Sequence, residues 1–339
     1  MDAKELQRRR DQRAQARRRR RTRRRAGIGG ALALAAVAVA VVVAIASASG
    51  GDAPTTSTST ATGHTATHAT HATRTSHRAA GRHARGASTA AALGPATGVR
   101  GTASVPVLMY HVIAPPPSGA PFPGLYVQPQ EFAAQMRALK AAGWHAVTLD
   151  QLQAYWTKGA RLPAGKPVVI TFDNGYHSQF TEALPVLRKL GWVADENIQL
   201  AGLPPSQGGL TTDEVKAMVN AGWELDTQGI SHADLITLDA SQLRYQIDSA
   251  RKTIQRRYGV PVNWFCYPSG HYDATVITEV RSAGYVGSTT VVPGWAGPST
   301  DPYRLPRLRV LGGTSPAALL QQIATYQNAP APPGSYGGA

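Results

Sequence analysis

A single cysteine, Cys266, stands among 339 residues, so no disulfide framework holds this chain together. Acidic residues are scarce as well: 20 Asp and Glu face 35 Lys and Arg, a formal net charge of +15. Spread over a folded surface, that excess would point to nucleic acid. It is not spread. Residues 1–25 hold 13 Lys and Arg against 3 Asp and Glu, whereas from Val105 onward the count is 17 against 16. The positive charge belongs to a tail, the folded part is nearly neutral, and nucleic acid is excluded as its partner. Aromatic residues make up only 7%, yet 42% of the chain is hydrophobic. That is enough to build a core, which excludes a wholly disordered chain, and the length admits one large domain or two small ones.

Charge is absent altogether from Ala26 to Ala46. Those residues, as a helix, span about 31 Å, the thickness of a hydrocarbon core. Arg17–Arg21 and Arg23–Arg25 precede them, and such a flank stays in the cytoplasm. The expected organisation is a basic cytoplasmic tail (1–25), a transmembrane signal anchor in contact with membrane lipid (26–47), a flexible linker (48–104), a folded domain (105–325) and a disordered tail (326–339). The protein is then a single-pass protein of the cell membrane with its C-terminal domain extracellular. A cleaved signal peptide ending at Ala46-Ser47-Ala48 is the rival, but its apolar region would exceed the usual ~7–15 residues. The linker is rich in Thr, Ala and Ser and has few large apolar side chains, so it cannot offset the entropy of ordering. Its histidines, His64, His68, His71, His77 and His83, read as solvated linker.

From Val105 the pattern turns to helix, glycine, strand. Pro129 opens a helix with Phe132, Met136 and Leu139 on one face, and Gly143 ends it before Trp144. The phrase recurs at Lys189–Trp192, Asn220–Trp223, Arg257–Val260 and Ser282–Tyr285. Thr211 and Glu214 form a capping box. Asp239 caps a helix whose buried stripe is Leu243, Ile247 and Ile254. Val168–Phe172 is an unbroken apolar run, as in a parallel strand covered on both faces. With Val105–Tyr110 and Leu305–Val310, seven or eight strands alternate with helices. The fold class is therefore α/β, an incompletely closed barrel with its chemistry at the C-terminal strand ends.

Four polar clusters fall at those ends. The first closes on His111, and the second holds Asp173, Asn174, Tyr176 and His177. The third holds Asp226, Gln228 and His232, and the fourth Cys266, Tyr267, Pro268 and Ser269. Taken singly, an Asp that closes a strand caps the next turn, and a His there is a framework residue. On one rim they make a pocket.

Val105–His111, Thr171–Tyr176, Ser231–Leu235 and Tyr267–Gly270, in that order, resemble the polysaccharide deacetylase (NodB-homology, carbohydrate esterase 4-like) family. The resemblance runs from Val105 to Ile323. It implies a distorted (β/α)7 barrel that removes acetyl groups from glycans with a divalent metal held by one Asp and two His. The base then falls on Asp173, the ligand positions on Asn174, Gln228 and His232, and substrate contacts on Tyr176, Tyr267, Pro268 and Ser269. In such chemistry a metal polarises the carbonyl and acidifies its bound water, a carboxylate takes the proton, and an acid protonates the leaving nitrogen.

Two of the three ligand positions hold amides, which are neutral oxygen donors and weak partners for zinc. The exchange costs several of the ~10–16 kcal/mol typical of structural zinc, so a zinc-like ion is expected to bind weakly. Asp226 is a substitute ligand, since it lies two residues before Gln228 on one strand face. His177 is another. The family's C-terminal Leu-x-His acid is missing, since no His follows His271, and the resemblance to the related branch, which places the first-strand His at the site, implies His111 as the replacement acid. Cys266, where many members carry Arg, reads as a small buried hydrophobe. Asp173→Asn is expected to stop hydrolysis with little loss of stability.

Two functional readings stay open. One is a hydrolase of amide C–N bonds that deacetylates an N-acetylated glycan polymer, peptidoglycan or exopolysaccharide. The other is an impaired relative that binds glycan without metal-dependent hydrolysis. No nucleotide, flavin or haem motif appears.

Overall fold

The computed structural model describes Gly94, residues 96–203 and residues 208–338. The basic tail, the apolar span 26–47 and the linker histidines lie outside the described residues. Among the described residues, no helix is long and apolar enough to cross a membrane.

Among the described residues, nine strands form one sheet: β1 (Val105–Tyr110), β2 (Trp144–Val147), β3 (Lys166–Asn174), β4 (Asp195–Ile198), β5 (Glu224–Thr227), β6 (Trp264–Cys266), β7 (Gly287–Thr289), β8 (Trp295–Ala296) and β9 (Leu308–Arg309). Their order is β7-β6-β5-β4-β3-β1-β8, with β2 also on β3 and β9 also on β1. Every pairing is parallel except β8 against β1. A parallel bridge between Thr289 and Leu305 brings the approach to β9 alongside β7. The sheet therefore curls into a parallel half-barrel with helices outside. The expected barrel is right in class, but several of its strands are only two to four residues long.

The helices form where the sequence places them. Phe132, Met136 and Leu139 of the helix Pro129–Ala141 are buried against Tyr110 and Phe172. The Tyr110 and Phe132 rings meet edge to face at 5.2 Å, and Phe172 stacks on Trp223 at 5.1 Å. Reciprocal capping boxes start the helices Leu149–Lys158 (Thr148 with Gln151) and Thr212–Asn220 (Thr211 with Glu214). Gly143 and its counterparts at 191, 222, 259 and 284 have φ between 68° and 92°, as a left-handed helix exit requires. Leu243, Ile247 and Ile254 are buried, but a widened turn over Tyr245–Ser249 interrupts their helix.

Two expectations need correction. The stretch 326–338 is ordered against the domain: Tyr336 and Tyr272 exchange backbone hydrogen bonds, each 2.8 Å, and the Tyr272 hydroxyl donates to Pro333 O. Its Pro and Gly content conceals a strap. The end of the 48–104 linker also packs, since Trp156 Nε1 donates to Ala103 O and Gly94 pairs with Arg161.

Candidate active site

The strands β1, β3, β5, β6 and β9 open at their C-terminal ends onto a cleft of 610 Å³. Asp173, near the end of β3, lies on its floor and is only 1% exposed. A carboxylate that deep needs partners. Arg307 supplies a two-pronged grip, Nη1 to Oδ1 at 2.8 Å and Nη2 to Oδ2 at 2.9 Å. Asn197 Nδ2 adds a bond to Oδ1 at 2.9 Å. Burial pushes the Asp173 pKa up, but the Arg307 charge, nearby His111 and these hydrogen bonds outweigh it and hold the pKa at about 2. The carboxylate is therefore ionised at neutral pH.

Arg307 is itself buried, and it also reaches Thr171 Oγ1, Thr290 O and Cys266 Sγ. Cys266 is thus a polar neighbour of the pair rather than a plain hydrophobe. Its sulfur also accepts from Gln228 Nε2 at 3.1 Å, and burial pushes its thiol pKa up to about 12. Sequence reasoning missed Arg307, Asn197 and Gln179. The Gln179 amide ties together the carbonyls of His111 and Asp173, where β1 and β3 end. An available signal was the arginine one residue before buried Leu308, which alternation in a strand turns inward.

His111, Asn174, Tyr176, Gln228, His232, Tyr267 and Ser269 all line the cleft, as the motifs predict. Pro268 is buried and only starts the turn that presents Ser269. Among the described residues, three non-glycine residues have left-handed backbone: Asn174 (φ 82°), His232 (φ 53°) and Ser269 (φ 56°). All three line the cleft. Strain of this kind persists where the surroundings enforce it, which marks the cleft as a built site.

His111 Nε2 lies 3.9 Å from Asp173 Oδ2, too far for a hydrogen bond. Burial lowers the His111 pKa to about 4, Asp173 opposing and Arg307, Arg309 and His232 assisting. The expected acid is therefore a neutral imidazole at pH 7, with no imidazolium proton to give. Burial lowers the His232 pKa too.

Neither substitute ligand reaches the cleft. His177 is exposed and pairs with Glu214 at 3.0 Å. Asp226 lies deeper along β5, where one oxygen accepts from Trp264 N at 2.9 Å. It belongs to a carboxylate cluster with Asp195 and Glu224, whose oxygens lie within 4.8 Å of one another. In register, Asp195 pairs with Thr171 and Asp226 with Asn197, so this cluster lies beneath the Asp173 floor rather than in the cleft. There Asp195 accepts from Leu149 N and Glu224 from Asp150 N, capping the helix Leu149–Lys158.

The residues beside Asp173 do not fit a zinc-like ion. Asn174, Gln228 and His232 offer two amides and one imidazole, with no negative charge among them. The neighbouring carboxylate is already neutralised by Arg307, and Arg309 adds a positive charge at the same cleft.

The polysaccharide deacetylase family model matches residues 161–288. The YxkH protein of Bacillus subtilis (strain 168), itself assigned to the polysaccharide deacetylases, is 30% identical over 217 residues, 64% of this chain and 75% of its own length. The poly-β-1,6-N-acetyl-D-glucosamine N-deacetylase of Escherichia coli (strain K12) is 24% identical over 235 residues, 57% of this chain and 35% of its own length. Among solved structures, the Streptococcus pyogenes deacetylase PplD, in complex with acetate, has a TM-score of 0.60 at 26% identity, covering 66% of this chain and 99% of that one.

Proposed function

The chain belongs to the polysaccharide deacetylase family, and from that premise we propose that it removes acetyl groups from an N-acetylated glycan of the cell wall or cell surface. The observation that carries this reading is Asp173, an ionised carboxylate fixed at the floor of an open cleft with tyrosines in its walls. In the reaction, water adds to the acetyl carbonyl carbon, the C–N bond breaks, and acetate leaves while the nitrogen gains a proton. Asp173 accepts a hydrogen bond from that water and takes its proton during attack. With a pKa of about 2 it is a weak base but, once protonated, a strong acid. Returning the proton to the departing nitrogen is then downhill, and that offsets the lack of a separate acid. The neutral imidazoles of His111 and His232 each keep one donor and one acceptor nitrogen to orient the acetyl group.

The location rests on sequence alone. The uncharged span 26–47 behind eight arginines is proposed to anchor the chain in the membrane, with the cleft on the outer face. An insoluble polymer, peptidoglycan or exopolysaccharide, suits a tethered domain of this kind.

A second reading, glycan binding without hydrolysis, is favoured by a specific observation. Both oxygens of Asp173 are already engaged, and the ligand positions hold amides. One experiment separates the readings: acetate release from N-acetylglucosamine oligomers by the full chain, with binding measured in parallel. Acetate release abolished by Asp173→Asn supports deacetylation. Binding without acetate supports the second reading, and neither result would leave the glycan assignment unsupported.

A further inference from the structure

Arg307 and Arg309 flank buried Leu308 on β9, so their side chains leave the strand on the same face. Their surroundings differ sharply. Arg307 is buried and spends its donors on Asp173, Thr171, Thr290 and Cys266. Arg309, two residues nearer the open end, is exposed and lines the cleft. Its guanidinium has no hydrogen bond or ion pair among the described residues, and its backbone carbonyl accepts from Gln322 Nε2.

The rest of the cleft offers Arg309 no counter-charge. Among the described residues that line it, Asp173 is the sole carboxylate, and Arg307 has already neutralised it. The Arg309 charge is felt inside the cleft, since it helps to keep His111 unprotonated. Beside it the wall is apolar: Phe122 is 69% exposed and Leu311 is 42% exposed, and both line the same cleft as Tyr126. Exposed apolar side chains on a cleft rim mark a binding surface, and they suit the C–H faces of sugar rings. The result is a sugar-sized platform with one free guanidinium. A guanidinium fork matches a carboxylate with two parallel hydrogen bonds, which a neutral hydroxyl cannot reproduce.

We propose that Arg309 reads a carboxylate carried by the glycan, so that the preferred substrate is an acidic acetylated polymer rather than a neutral one. This rests on the reading that the cleft takes a glycan, and it adds the charge class of that glycan. Two sources present the required chemistry: the lactyl ether of a muramyl residue, and the C6 carboxylate of a uronic acid.

The test uses the full chain in detergent and four probes: a neutral N-acetylglucosamine tetramer, an alternating N-acetylglucosamine–N-acetylmuramic acid tetrasaccharide, the same tetrasaccharide with its carboxylates reduced to alcohols, and an N-acetylated oligomer containing uronic acid. An acidic oligomer is expected to bind about 10-fold more tightly than its neutral counterpart at low salt, with the preference shrinking as salt screens it. Arg309→Gln should erase the preference, and Arg309→Lys should keep part of it. Preference for the muramyl probe assigns the lactyl source, and preference for the uronate probe the other. Equal binding of acidic and neutral oligomers overturns the Arg309 assignment and leaves the glycan reading standing. If no oligomer binds at all, both fall. The comparison of probes on the wild type needs no variant to fold.

Discussion

Arg307 grips both oxygens of Asp173 across 134 positions of sequence. The pair joins β3 to the segment that leads into β9, across the intervening β1, so the same contact that shapes the floor of the cleft also fastens neighbouring strands of the sheet. Removing one member of a buried pair strands the other's charge, which typically costs about 3–5 kcal/mol.

Arg307→Met should therefore destabilise the domain by about 3–5 kcal/mol in urea unfolding. Adding Cys266→Arg to that variant offers Asp173 a guanidinium from β6 and should recover part of the loss. A double variant no more stable than Arg307→Met would mean that the position of Arg307, rather than its charge, is what the fold needs.

Asp173→Asn, read from the sequence as a nearly neutral change for stability, is not neutral here. It leaves Arg307 buried and unpaired, with the same penalty of about 3–5 kcal/mol expected. Any acetate release should fall by ~100- to 10,000-fold. Asp173→Asn combined with Arg307→Met should regain stability and no activity, which separates the proton-transfer role from the packing role. Should the double variant regain acetate release, Asp173 is not the base.

Asn174→Asp together with Gln228→His rebuilds a carboxylate and an imidazole beside His232. Zinc affinity, followed by retention through dialysis, is expected to rise by orders of magnitude over the wild type. Stoichiometric zinc already retained by the wild type would show that two amides and one imidazole hold the ion after all.

Burial, with the charge of Asp150 assisting, raises the Glu224 pKa to about 8, against about 4.3 for an unfolded glutamate. Between those values the folded chain keeps a proton that the unfolded chain releases. The contribution of Glu224 is thus fully present below about pH 4.3 and is lost as pH climbs through 8. Glu224→Gln keeps an acceptor for the Asp150 N–H and cannot ionise. Its stability relative to the wild type should grow from pH 5 to pH 9 in paired urea titrations. A constant difference would remove the buried proton from the account.

The sequence made most of the scaffold legible, because caps, glycine exits and apolar stripes are local signals. The glycine exit at Lys189–Trp192 announced a strand after it, but the content of β4 was not legible, for the opposite reason. Asp195, Glu196 and Asn197 are buried in it, and a strand filled with polar side chains breaks the apolar pattern by which burial is read. The cleft residues were legible through their motifs, whereas their supports were not. Arg307 and Asn197 reach Asp173 from distant strands, and only tertiary structure shows that an arginine absent at position 266 is supplied from 307. Asp226 and His177 were misplaced because alternation and proximity fix a face of the chain, not a depth along it.

The strap at the end of the chain has a consequence for the order of events during synthesis. Tyr267 in the cleft wall stacks on Tyr272 at 4.9 Å, and Tyr272 in turn is held by Pro333 and Tyr336. That wall cannot be finished until residue 336 has been made. The nascent chain can fold most of its sheet while the ribosome is still at work, yet one side of the cleft waits for residues 333–336. A chain lacking Pro333 and Tyr336 would yield a domain with most of its sheet in place and an unbraced binding surface.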